Sequence, residues 1–257
     1  MSSAAERFER IHAPPAYQLV AEAIEKQIVS GRLRAGDALG TEAELVKQFG
    51  VNRSTVREGI RLLEQAGLVH RDTSRRLTVS IPHYDRLAPR MTRALVLHQV
   101  TFRELWEASM VLEIAAVEFA VEHATPGVIR ELEDNLAKTE AARGAAAIVA
   151  LDSEWHGLLF KAAGNRVLQL AREPAALLNL PATELILAMV DPAVSRLIEA
   201  HRIITDAVRR HDPEAARLWM RRHLNDWRRG FEYLGKDLDQ PIDQVYIESI
   251  GSARQRE

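Results

Sequence analysis

The run LGTEAELVKQFGVNRSTVREGIRLLEQAGLVHR, from Leu39 to Arg71, constrains this chain more than any other stretch. Its caps, stops and apolar spacing are met together by a short helix, a tight turn and a longer second helix. Thr41 with Glu44 three residues on is a capping-box pair. Glu42 to Phe49 then form one short amphipathic helix, and Gly50 is a natural C-terminal stop. Asn52 or Ser54 caps the next helix, which runs to about Ala66 and ends at Gly67. In it Val56, Ile60 and Leu63 step by four and three and share one buried stripe.

Arg53 and Arg57 lie four apart on a different face, with Arg61 one turn further. A helix that buries one side and aims arginines outward near its N-terminus has the layout of a DNA recognition helix. The planar guanidinium can bond two acceptors on a guanine edge, while Ser54 and Thr55 can reach phosphates. The alternative at this point is an ordinary amphipathic helix with solvated arginines.

The flanks favour DNA. AYQLVAEAIEKQIVSGRLRAGDAL reads as a helix from about Pro15 to Ser30, closed by Gly31. Residues 67–71 and 77–80 read as two short strands joined by a polar turn, a wing. The helix ahead of SGRLRAGDAL, the TEAEL helix, GVNRSTVREGIRLLEQAGLV and the returning strand together resemble the GntR family of winged-helix transcription regulators. The resemblance covers about the first 80 residues. It implies double-stranded DNA as partner, contacted by Thr41, Asn52, Arg53, Ser54, Thr55, Arg57, Arg75 and Arg76. Three positions depart from the family pattern. Gly40 replaces a usual proline, Ala43 replaces a common DNA-contacting arginine, and the wing tip Thr73-Ser74-Arg75-Arg76 lacks the usual glycines. Arg75 and Arg76 can still grip phosphate or a narrow A·T-rich minor groove.

Composition narrows the class only in part. There are no cysteines, so disulfides and thiolate metal sites are excluded. The most apolar run, Ala145 to Leu151, is too short to span a bilayer and no signal-peptide pattern opens the sequence, so a cytoplasmic protein without membrane partners is expected. Residues 1–80 carry 12 Lys+Arg against 10 Asp+Glu, the remainder 22 against 26. That small asymmetry puts positive charge where DNA is expected, without deciding anything alone.

Residues 1–13 read as a lead-in, and residues 81–88, with Ile81-Pro82-His83-Tyr84-Asp85, as a linker. From Pro89 the pattern is helical almost throughout: a short helix to His98, then a long one at Thr101–His123 with Leu105, Ala108, Leu112, Ala115 and Phe119 on its apparent apolar stripe. Further helices are predicted from Thr125 to Arg143, over 145–163, 166–179, 182–190, 193–211 and 213–234. Residues 236–257 read as a tail in which Val245–Ile250 could pack. The fold class is therefore mostly α: an N-terminal winged helix-turn-helix over 1–80 and a C-terminal antiparallel all-α bundle over 89–235.

Four ionisable residues interrupt the apolar stripes of that bundle. Asp152 and His156 align with Val149, Leu159 and Ala163, His201 with Leu197, Ile204 and Val208, and His223 with Ala216, Met220 and Trp227. An unpaired polar group there costs a few kcal/mol, so each needs a partner. They are either separate hydrogen-bonded core residues or one another's partners around a metal. One oxygen and three imidazoles suit a divalent ion, zinc first, with nickel, manganese or iron as alternatives. The other histidines (His12, His70, His83, His98, His123, His211) read as surface or linker residues.

LDSEWHGLLFKAAGN, EAHRIITDAVRRHDPEAA and RLWMRRHL resemble the FCD effector domain carried by GntR regulators of the FadR subfamily, over about Pro89 to Leu234. In its metal-containing members an Asp, a His one turn later and two later histidines hold the ion, positions that fall on Asp152, His156, His201 and His223. The resemblance implies a small-molecule effector, a carboxylate, held with help from the metal. Asn165 matches a family asparagine beside the effector cavity. Ser109 stands where many relatives have an arginine that pairs the acid, which leaves the effector class open.

The reading is a DNA-binding regulator, a repressor and not an enzyme, acting as a homodimer on a palindromic operator under control of an effector. A metal sensor and a metalloenzyme using the Asp/His cluster are the alternatives.

Overall fold

A computed structural model describes residues 13–71, 76–81 and 84–242. Asp72, Thr73, Ser74 and Arg75 of the wing tip, residues 1–12 of the lead-in, Pro82 and His83 of the linker and the segment Val245–Ile250 lie outside the described residues. The chain divides into two compact units, 1–87 and 88–257.

In the first unit the described elements are α1 (Ala16–Val29), β1 (Ala38–Gly40), α2 (Glu42–Phe49), α3 (Arg53–Ala66), β2 (Val69–Arg71) and β3 (Leu77–Val79). Thr41 and Glu44 close the capping box on α2, and the Asn52 carboxamide oxygen caps α3 by accepting from the Thr55 N–H. Gly50 and Gly67, at φ 66° and 75°, supply the left-handed turns that stop the two helices. The antiparallel wing pairs Val69 with Val79 and Arg71 with Leu77. The sheet has a third strand that the sequence pattern did not single out: β1 pairs with β3 through an irregularity between Ala38 and Gly40. At three residues it is too short to show an alternation.

Val56, Ile60 and Leu63 of α3 are buried against Val20, Ala21 and Ile24 of α1 and against Leu45, Val69 and Leu77. Each fully buried Val, Leu or Ile contributes about 1.5–3 kcal/mol. Gly59 permits this packing, because a Cβ there would lie 2.9 Å from the Tyr17 carbonyl oxygen and 3.0 Å from Val20.

The second unit is built from α4 (Tyr84–Leu97), α5 (Phe102–His123), α6 (Pro126–Ala141), α7 (Ala145–Ala162), α8 (Arg166–Met189), α9 (Ala193–Arg209) and α10 (Pro213–Tyr233), α4 beginning just ahead of the division. α5 lies against α7, α8, α9 and α10, while α6 packs on α7 and α9. No single described helix is long and apolar enough to cross a membrane.

Four expectations need correction here. The linker is shorter than predicted: α4 starts at Tyr84 and carries Pro89 inside, its neighbours Ala88 and Thr92 being buried. α8 is one helix through Pro174 and Pro181, not two. Leu178, Ala182 and Ile186 are buried along one face across Pro181, and their combined burial exceeds the ~3 kcal/mol that an internal proline costs. The stripe assigned to α5 is misphased. Leu105 is buried, but Ala108 is exposed, Phe119 is 39% exposed, and the inner face holds Glu113, Ala116, Val117 and Ala120. Finally, residues 236–242 are docked rather than free. Leu238 and Ile242 enter a core cluster with Phe102 and Phe231, and the Ile242 N–H donates to the Val100 carbonyl at 2.9 Å.

Candidate functional site

α7, α9 and α10 bring the four polar residues of the predicted cluster together. One ligand atom from each of Asp152, His156, His201 and His223 lies within 4.8 Å of all the others. His156 Nε2 is 3.2 Å from His223 Nε2, and Asp152 Oδ1 is 3.7 Å from His156 Nε2 and 3.4 Å from His201 Nε2. Trp155 holds the His201 ring by stacking at 3.7 Å between centroids, and its own indole N–H donates to Thr205.

Apart from the His156–His223 contact, the cluster is poorly satisfied. Asp152 Oδ1 and both ring nitrogens of His201 are buried without one. Burial pushes the Asp152 carboxyl up, because His156 and Arg172 offset that desolvation only in part. Burial, with the neighbouring histidines, pushes His201 far below an ordinary imidazole, and burial and His156 take His223 down to about 3. Both rings are thus neutral, with lone pairs available, the state a metal ligand needs.

Two further residues complete the site, and the sequence reading missed both. Glu113 of α5 accepts from His156 Nδ1 at 2.9 Å. That fixes the tautomer and leaves His156 Nε2 facing the cluster, as an outer-shell carboxylate does for a metal-bound imidazole. Burial alone would raise Glu113, but His156 and Arg172 hold it below the usual carboxylate range. Burial likewise lowers His156, and Glu113 and Asp152 reverse the shift to a net rise. Arg172 of α8 is the second, its Nε 3.5 Å from Glu113 Oε1.

A cavity of about 80 Å³ opens beside the cluster, lined by Asp152, His156, Glu113 and Arg172 and by Ser109 and Asn179. Ser109 therefore faces the predicted cavity. Asn165 does not line it. Its side-chain oxygen caps α8, accepting from the Val167 and Leu168 N–H groups at 3.0 and 3.2 Å.

The first unit presents the other predicted surface. Side chains of Arg53 and Arg57 are 72% and 62% exposed, and both reach the Glu42 carboxylate at 3.5 Å, which also pairs with Arg71 at 2.9 Å. Burial would raise Glu42, but these three arginines hold it below the usual carboxylate range. Glu42 pairs with the guanidinium groups of all three arginines, and the Arg53 and Arg57 side chains stay largely exposed. Thr41 and Asn52 are exposed caps, and the Ser54 hydroxyl donates to the Asn52 side chain. Thr55, half-buried, is engaged through its N–H. Arg76 is exposed, and Arg75 lies outside the described residues.

A winged helix-turn-helix with arginines outward on its second helix, joined in one chain to an all-helical domain with a buried polar cluster, defines a class of one-component transcription regulator. Residues 16–79 match the family described as bacterial regulatory proteins, gntR family, and residues 104–226 match the FCD domain. The chain belongs to the GntR family, with an FCD domain as its second domain, and is a DNA-binding transcription regulator. It is similar to the HTH-type transcriptional repressor NanR of Edwardsiella tarda (strain FL6-60), 29% identical over 214 residues, 81% of this chain and 82% of that one. To the repressor of the same name from Escherichia coli (strain K12) it is 29% identical over 219 residues, 81% of each chain. Among solved structures, Streptococcus agalactiae GntR matches with a TM-score of 0.62 and 26% identity over 83% of this chain and 99% of that one. These domains and relatives are regulators and not enzymes, which sets aside the metalloenzyme alternative.

Proposed function

We propose that this protein is a repressor whose affinity for a palindromic operator is set by a small organic acid, held at a divalent metal ion inside its FCD domain. The observation that carries the reading is the convergence of four ligand atoms, with Asp152 Oδ1 and both His201 nitrogens left unpaired, beside a cavity. Each unsatisfied buried group costs about 1–3 kcal/mol, and one cation would relieve Asp152 Oδ1 together with one of the two His201 nitrogens. The residues present fit the group. Asp152, His156, His201 and His223 would hold the ion, and three neutral imidazoles with one carboxylate favour zinc, with nickel, manganese or iron as substitutes. When bound, the ion supplies a Lewis-acidic position for a carboxylate or hydroxyl oxygen.

The names of the relatives support repression, and the DNA partner supports a cytoplasmic location. Arg53 and Arg57 read base edges, Ser54, Thr55 and Arg76 reach the phosphates, and Arg75 joins them at the wing. Thr41 and Asn52 shape that surface and remain within reach of the backbone. A single half-site binds weakly, so the working unit is a homodimer. Val111, 71% exposed, and Phe119 on α5 are apolar surface that a dimer contact would cover.

The test is elemental analysis of the purified protein, followed by operator binding with and without metal and organic acids. About one metal per chain and an affinity that changes only when metal and acid are both present is the expected result. Affinity that tracks metal alone would make the ion the signal, and a protein that holds no metal would refute the reading.

A further inference from the structure

We propose that Arg172 anchors the carboxylate of the effector, and that the cavity selects a singly charged hydroxy acid. This deepens the proposed function and rests on it. Arginine is almost never buried unless paired; the Arg172 side chain is only 9% exposed, and its ion pairs with Glu113 and Glu173 are long, at 3.5 and 3.4 Å. Its guanidinium has five N–H donors, and the protein engages few of them. Nη2 donates to the Ser153 carbonyl at 3.2 Å and Nη1 makes a long 3.4 Å contact with Glu173. Nε is buried and makes no hydrogen bond, although Glu113 Oε1 is 3.5 Å away. An incompletely satisfied planar fork in the wall of a cavity matches what a carboxylate needs.

Asn179 lies seven residues, two turns, beyond Arg172 on α8 and lines the same cavity, with its Oδ1 buried and unpaired. Such an acceptor calls for a donor on the ligand, and a hydroxyl beside the carboxylate provides one. Ser109, which lines the same cavity, carries no charge to neutralise an acid, and Arg172 is the arginine that lines it.

Charge sets the ligand's valence. Glu113 and Asp152 contribute two negative charges and Arg172 one positive, leaving −1 among the charged side chains lining the cavity. A divalent ion turns that to +1. A monoanion then leaves the site neutral, whereas a dianion leaves an uncompensated buried charge.

The experiment uses the full chain loaded with zinc, its metal content measured first. Calorimetric titrations compare lactate with propionate (no hydroxyl), lactamide (no charge) and malate (two charges). Lactate should bind at least tenfold tighter than each of the others. Arg172→Gln should keep its zinc and lose the preference of lactate over lactamide. Arg172→Lys preserves the charge but not the fork and should fall between, which guards against misfolding of the glutamine variant. Asn179→Leu should erase the preference of lactate over propionate alone. If Arg172 serves only to pair Glu113, the preference for lactate over lactamide survives both Arg172 variants, and the proposal is overturned. Zinc-loaded protein that takes none of the four, or prefers malate, overturns it as well. A chain that takes up no zinc refutes the metal reading instead.

Discussion

Replacing Asp152 by asparagine should move stability in opposite directions with and without a divalent ion. In the metal-free protein the Asp152 carboxyl is buried, its Oδ1 has no partner, and desolvation already raises its pKa. Asparagine keeps the shape and removes the charge, so the metal-free variant should match the parent or exceed it by about 1–2 kcal/mol. For a domain of this size that is roughly 2–8 °C in Tm. With zinc at 100 to 1,000 times its dissociation constant, binding contributes about 2.7–4.1 kcal/mol to the folded state. Loss of the carboxylate ligand removes most of it, a fall of about 5–16 °C. Thermal unfolding in chelator and in excess zinc, with metal content measured on the same samples, reads both arms. If the variant lowers Tm equally in the two conditions, Asp152 is an ordinary structural acceptor and the argument from orphaned atoms fails.

Acidification should destabilise the metal-free FCD domain. The folded-state pKa values of His201 and His223 are depressed, so the unfolded chain takes up protons near pH 6.5 while the folded chain does not. Their contribution is present above that pH and is lost as pH falls toward about 3 for His223. His156, whose pKa is raised, opposes part of this loss. Denaturant titrations after chelation should give a lower midpoint at pH 5 than at pH 7.5, and equal midpoints would contradict the assignment. Glu113→Gln should weaken metal affinity about 10- to 100-fold through the lost grip on His156 Nδ1, measured by competition with a chromophoric chelator; unchanged affinity would show that the grip is dispensable. Arg53→Ala and Arg57→Ala should each weaken operator binding by about 1–3 kcal/mol. Because both side chains are largely exposed, Tm should barely change, and binding that persists in the double variant would remove α3 as the reading helix. Gly59→Ala should destabilise the DNA-binding unit by about 1–3 kcal/mol, since the added methyl meets the Tyr17 carbonyl at 2.9 Å. A stable variant would mean that α1 gives way cheaply.

What could be read before any coordinates depended on contrast within each element. α3 alternates charged and apolar residues so sharply that Val56, Ile60 and Leu63 were placed on the inner face correctly, all at or below 2% exposure. α5 offers no such contrast. Alanine, valine and leucine occur on every side of it, several phases fit equally, and the one chosen put Ala108 and Phe119 inside and overlooked Glu113. The same difference governs the site. Asp152, His156, His201 and His223 stood out because polar residues broke clear apolar stripes. Glu113 and Arg172 are of types normally found at the surface, Glu113 on a helix whose inner face the pattern misplaced and Arg172 on one whose inner face it did not assign. Arg172 does share a helix face with Leu168, Ala175 and Asn179, a signal visible in hindsight, but its meaning depends on what stands across the cavity. Spacing along one helix shows which side chains look inward together. It cannot show that α5 sets Glu113 2.9 Å from His156 on α7 while α8 places Arg172 beside that same carboxylate. Those distances depend on how three helices pack, so the part of the site that would choose the ligand is the part a linear pattern conveys least.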